Sequence, residues 1–145
     1  MNLLKIARVP APTVSPDATV LEAVEKMVEL GVGAVVVVDK DNEIEGIVTE
    51  RDILQRVAKN CLPCDTTKVS EVMSSSVQVA KADTNPSEAL SMMDSGHFRH
   101  LPIVDDKHHV QGMLSIRHLL HHIVEDLSQE LKALDSYVSA DGIGG

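Results

Sequence analysis

Gly46-Ile47-Val48-Thr49-Glu50-Arg51-Asp52 follows the apolar run Ala34 to Val38. A related order returns 66 positions later as Gly112-Met113-Leu114-Ser115-Ile116-Arg117-His118, behind Leu101 to Val104. The offset holds without a gap from Asp17 to Leu120. It pairs Asp17 with Asp83, Glu22-Ala23 with Glu88-Ala89, Met27 with Met93, Val38-Asp39 with Val104-Asp105, and Leu54 with Leu120. A duplicated structural unit is the simplest source of such a pattern.

Each half reads as helix, strand, strand, helix. Thr19 with Glu22 three residues later forms a capping box, and Val20, Ala23, Val24, Met27 and Val28 recur at helical spacing until Gly31. Ala34 to Val38 is a buried strand, Asp39 to Asn42 a turn, and Ile44 to Val48 a second strand. Thr49 with Asp52 caps a helix expected to reach about Asn60. In the second half Asn85-Pro86 with Glu88 starts a helix that Gly96 ends. Leu101 to Val104 and Val110 to Leu114 are its strands around a turn at Asp105 to His109, and Ser115 caps a long final helix. Between the halves the pattern predicts a linker, a helical turn at Val69 to Met73 and a short strand at Val77 to Val79.

The chain of 145 residues is long enough to bury a core without disulfides or metals. Apolar residues make up 43 % of it, but the only aromatic side chains are Phe98 and Tyr137, so the core is aliphatic. A formal net charge of −9 sets the surface against nucleic-acid backbones and anionic membranes, although the His and Arg after Gly96 leave room for a local cationic pocket. No stretch approaches the roughly 18 to 20 apolar residues that span a bilayer, and Met1 to Ala11 lacks the apolar centre of a signal peptide. The expected location is cytoplasmic. Cys61 and Cys64 are too few for a secreted disulfide scaffold.

Gly46 to Asp52 sets a hydroxyl and a carboxylate one turn apart at a helix start. A carboxylate only accepts hydrogen bonds and so suits a ribose diol, whose hydroxyls donate, while free amides at a helix start suit a phosphate. A simple helix cap uses the same two residues. Duplicated in tandem, with Val72-Met73 opening the second copy and Arg99-His100-Leu101-Pro102-Ile103-Val104-Asp105 within it, the pattern resembles the cystathionine-beta-synthase (CBS) domain family from Pro12 to about Ile123.

The resemblance implies an α/β (α+β) fold: a tandem CBS pair with pseudo-twofold symmetry and adenosyl-ligand clefts between the repeats. It divides the chain into a first repeat at 12–60, a linker at 61–71, a second repeat at 72–124, a helical extension at 125–138 and a flexible tail at 139–145. Carried over residue by residue, it assigns the ribose to Thr49 and Asp52, the phosphate to Arg99, His100 and Arg117, and the adenine to Ile47, Met73, Ser75, Ser76 and Val77. The second cleft departs from the family pattern. His118 stands where the carboxylate belongs, and Val32-Gly33-Ala34-Val35 offers no cation in place of Arg99-His100, so one competent site per chain is expected.

The implied function is regulatory and non-enzymatic: a stand-alone energy-sensing module that binds AMP, ADP, ATP or NAD and signals to an effector protein in trans. The alternative is a ligand-free structural dimerisation module. No nucleophile with its base and orienter, phosphate-binding loop or dinucleotide motif provides a catalytic constellation. Cys61-Leu62-Pro63-Cys64 lacks a redox context or second Cys pair, and His118, His121 and His122 lack an accompanying general base. No metal is expected. Leu120, Val124, Leu127, Leu131, Leu134 and Val138 alternate at spacings of four and three, a seam of about three heptads. Its outer part and the CBS faces are expected to meet a second copy in a homodimer.

Overall fold

The computed structural model describes residues 2–140, with side chains to Tyr137. Two three-stranded sheets repeat one plan. β1 (Thr13–Val14) runs parallel to β2 (Ala34–Val38), which pairs antiparallel with β3 (Ile44–Thr49). β4 (Ala80–Lys81), β5 (His100–Val104) and β6 (Val110–Ser115) do the same. The helices are α1 (Val20–Leu30), α2 (Glu50–Asp52, widening into a π-helical stretch over Ile53–Ala58), α3 (Pro86–Gly96) and α4 (Ile116–Ala140). No helix among the described residues is long and apolar enough to cross a membrane.

Local chemistry explains the doubling. The Thr19–Glu22 capping box forms reciprocally, and the Asn85 side chain caps α3 with Pro86 at its first position. In each hairpin an aspartate closes the turn. Asp39 Oδ1 accepts from the amides of Asp41 and Glu43, and Asp105 Oδ1 from those of Lys107 and His109, while Asn42 and His108 take the left-handed conformation. The amide of His109 is the main reason Asp105 titrates below the ordinary carboxylate value.

The packing goes further than the repeat visible from Asp17. Short 3₁₀ turns at Leu3–Lys5 and Val69–Glu71 also lie 66 positions apart, and each plugs the core of the other half. Leu3 is fully buried with Ala89, Met93, Leu101 and Ile103, and its amide bonds the carbonyl of Ala82. Val69 is fully buried with Ala23, Met27, Val35 and Val48, and its amide bonds the carbonyl of Ala18. The sheets meet through Ala34, Val36 and Ile47 against Val104, Val110 and Met113.

The strand expected at Val77 to Val79 is corrected to Ala80–Lys81. The ladder to β5 starts at Ala80 opposite Ile103, whereas the Val77 amide bonds locally to the carbonyl of Ser75. Val77 and Val79 instead pack against the apolar cluster between the sheets, and that burial explains their strand-like composition. Of the expected tail, 139 and 140 fall within α4, and 141–145 lie outside the described residues.

Leu3 is close to the chain end, yet Leu3→Ala is expected to cost about 2–5 kcal/mol in urea unfolding, as for other core leucines. A loss below about 0.5 kcal/mol would contradict the exchange of entry turns between the halves.

Candidate functional site

Thr49 ends β3 and caps α2. Its Oγ1 accepts from the Asp52 amide at 3.3 Å, and Asp52 Oδ2 accepts from the Thr49 amide at 2.9 Å and its hydroxyl at 3.2 Å. This reciprocal cap holds Asp52 buried, at 7 % exposure, in one orientation. Asp52 Oδ1 accepts the Ser74 hydroxyl at 3.2 Å and lies 3.7 Å from Arg56 Nε. A carboxylate has about four acceptor positions, so Oδ1 retains capacity for a further donor.

Ser74 arrives there because the entry segment of the second half pairs with β3. The Ile47 amide bonds the Ser74 carbonyl at 3.0 Å, and the Ser74 amide bonds the Ile47 carbonyl at 2.9 Å. A β-carbon on Gly46 would lie 2.6 Å from Met73 Sδ and 2.9 Å from the Ser74 carbonyl oxygen, so only glycine admits this approach. Arg56 Nη1 clamps the same segment through the carbonyls of Val72 and Met73 at 3.1 and 2.9 Å.

His100 approaches the helix start from the second half. Glu50 Oε1 and His100 Cε1 lie 2.9 and 3.1 Å from the point a β-carbon on Gly33 would occupy. The bare Gly33 thus leaves room for both side chains and sets the Glu50 carboxylate near His100 at the head of β5. Burial holds the His100 pKa below its ordinary value; the Glu50 carboxylate opposes that shift and Arg99 adds to it. Arg99 and Arg117 are exposed, with no carboxylate in salt-bridge range among the described residues.

Thr49 and Asp52 therefore come together, as do Ile47, Met73 and Val77 around the entry segment, while Ser75 and Ser76 are exposed. The sequence reading missed Ser74, Arg56 and Glu50. Extending the 66-residue offset toward the chain start would have exposed the first of these, because it sets Ser74 opposite Arg8, and Arg8 pairs with Met113 as Ser74 pairs with Ile47.

The second cleft is built differently. The His118 amide bonds Ser115 Oγ at 3.2 Å, but no carboxylate returns to complete the box. Beside it lies an open groove of about 530 Å³ lined by Lys5, Arg8, His118, His121, His122 and Glu125, among others. His121 contacts Glu125 at 3.1 Å and His122 lies 3.5 Å from Asp126. Among the described residues no group of three or more His, Cys, Asp or Glu is placed to hold a metal, and Cys61 and Cys64 are exposed free thiols.

The family model for the CBS domain matches twice, at residues 5–59 and 69–125. The chain belongs to the CBS-domain family. The second match opens at Val69 and takes in its whole entry turn, whereas the first opens at Lys5, the last residue of the other turn. The CBS pair is 37 % identical over 108 residues to inosine-5'-monophosphate dehydrogenase of Methanocaldococcus jannaschii, covering 74 % of this chain but only 21 % of that enzyme. A solved CBS-domain protein from Burkholderia ambifaria MC40-6 superposes with a TM-score of 0.79 at 31 % identity, over 87 % of this chain and 96 % of that one. Two more distant structures share the fold. CBSX2, solved with AMP, has a TM-score of 0.72 at 22 % identity over 86 % and 96 % of the two chains. The CBS pair of MJ0100, solved with 5'-methylthioadenosine and S-adenosyl-L-methionine, has 0.78 at 21 % over 87 % and 98 %.

His100 is expected to titrate below pH 6.5 in an NMR pH series. The folded chain resists a proton that the unfolded chain accepts near 6.5, so this group withdraws stability as the pH falls through 6.5 toward the folded value. A midpoint above 6.5 would contradict its burial beside Gly33.

Proposed function

We propose that this CBS pair is a regulatory, non-enzymatic module that binds one adenosine-containing nucleotide, of the AMP, ADP, ATP or NAD class, between its halves. Thr49 and Asp52 take the ribose. Arg99, His100 and Arg117 take the phosphate, and Ile47, Met73 and Val77, with Ser75 and Ser76 at the rim, take the adenine. The observation that carries this reading is the locked, buried Asp52 carboxylate on the helix start whose Glu50 lies near His100 across Gly33. Arg99 and Arg117, exposed and without a carboxylate in salt-bridge range among the described residues, supply positive charge for an anionic group. AMP and S-adenosyl-L-methionine in the two structures of the same fold support the adenosyl class, since adenosine is what those molecules share.

A neutral His100 at pH 7 acts here as a hydrogen-bond partner, and an arriving phosphate favours its protonation. Binding then alters how a homodimer, joined through the CBS faces and α4, presents itself to an effector protein. A second reading, a dimerisation module without ligand, draws on the fact that Asp52 already accepts three hydrogen bonds, from its cap and from Ser74.

Calorimetric titration of AMP, ADP, ATP and NAD separates the two. Asp52→Asn keeps an oxygen for the Thr49 amide and an amide to meet Ser74, so the melting temperature should change little. Nucleotide affinity should fall roughly tenfold or more, about 1.4 kcal/mol. Equal affinity in both proteins removes the ribose assignment, and no binding of any nucleotide favours the dimerisation module.

A further inference from the structure

The outer length of α4 is an apolar stripe on a helix with no cover. Leu120, Val124, Leu127, Leu131 and Leu134 are between 42 % and 66 % exposed, and every described residue from Val124 onward is exposed. Leu119 and Ile123 point the other way, into or against the core of the second half.

The stripe is self-complementary when reversed. Opposed to a second copy about an axis through Gln129, Leu127 meets the partner's Leu131 and Val124 meets the partner's Leu134, so positions a and d of the heptad alternate across the seam. The flanking charges agree with that direction. On one side His121 comes opposite the partner's Asp135, and Glu125 lies near the partner's Lys132. A parallel pair would instead set Glu130 against the partner's Asp135 on both flanks, whereas the antiparallel pair keeps those two apart and sets Glu130 near its own copy close to the axis. Charges beside the seam choose the orientation of such pairs.

We propose that α4 pairs antiparallel with α4 of a second copy of this chain, so that the projecting half of each helix covers Leu120 and Val124 of the other. Asp135 of the partner subunit then comes opposite His121 on the rim of the second groove. This rests on the homodimer proposed above and adds its orientation and register.

Sedimentation velocity should show a dimer that Leu127→Asp with Leu131→Asp converts to monomer without loss of the melting transition, because both side chains lie outside the folded core. In a Cys61→Ser, Cys64→Ser background, mild oxidation of Glu130→Cys should join two chains, since position 130 meets itself only in the antiparallel pair. Glu130→Lys should leave association roughly unchanged, because the antiparallel pair only exchanges one like-charge meeting for another; a parallel pair would tighten instead, because the new ammonium group would face the partner's Asp135. A wild-type monomer overturns the homodimer and the pairing together. A dimer that survives Leu127→Asp with Leu131→Asp overturns the pairing alone and leaves association through the CBS faces. Tightening by Glu130→Lys, without disulfide in Glu130→Cys, overturns the orientation.

Discussion

The exchange of Leu3 and Val69 between the two cores is the constraint on which the rest of this molecule depends. Each residue is fully buried among side chains of the opposite half, and each is fixed by a backbone hydrogen bond to that half. Neither half completes its core alone. The exchange also dictates where the chain goes next, because the segment leaving Val69 must run along β3 and the segment leaving Leu3 along β6.

The chemistry of the site follows from that routing. Once Ser74 pairs with Ile47, its hydroxyl falls on Asp52 and its neighbour Met73 lies over Gly46. Arg56 holds the segment down through two carbonyls while standing near the same carboxylate. A buried carboxylate is costly unless hydrogen-bonded, and here the capping amide and two hydroxyls meet that need. At the corresponding place in the second half, His118 removes the need for such a lattice, and an open groove takes its place. The corresponding places of the duplicated fold thus carry a buried carboxylate in one half and an exposed imidazole in the other.

Much of this was legible in the residues. The 66-residue offset, the capping boxes, the aliphatic strand runs and the Asp-closed turns are local patterns, and local patterns survive in sequence. What escaped was set by distance. Leu3 and Val69 are single apolar residues in short turns, with no periodicity to mark them as core. Ser74 stands in a run with Ser75 and Ser76, and only its register against β3 singles it out. Val77 and Val79 looked like strand because β-branched side chains suit any packed extended segment, whether or not a ladder partner reaches it.

The central claim is that one guest spans the two halves, with its diol on the first and its anion on the second. A crystal structure with AMP tests it most directly. The ribose hydroxyls should lie on the Asp52 carboxylate, and the phosphate against His100 and Arg99 of the same chain. A nucleotide bound solely in the groove beside His118, or one that leaves Asp52 untouched, would contradict it.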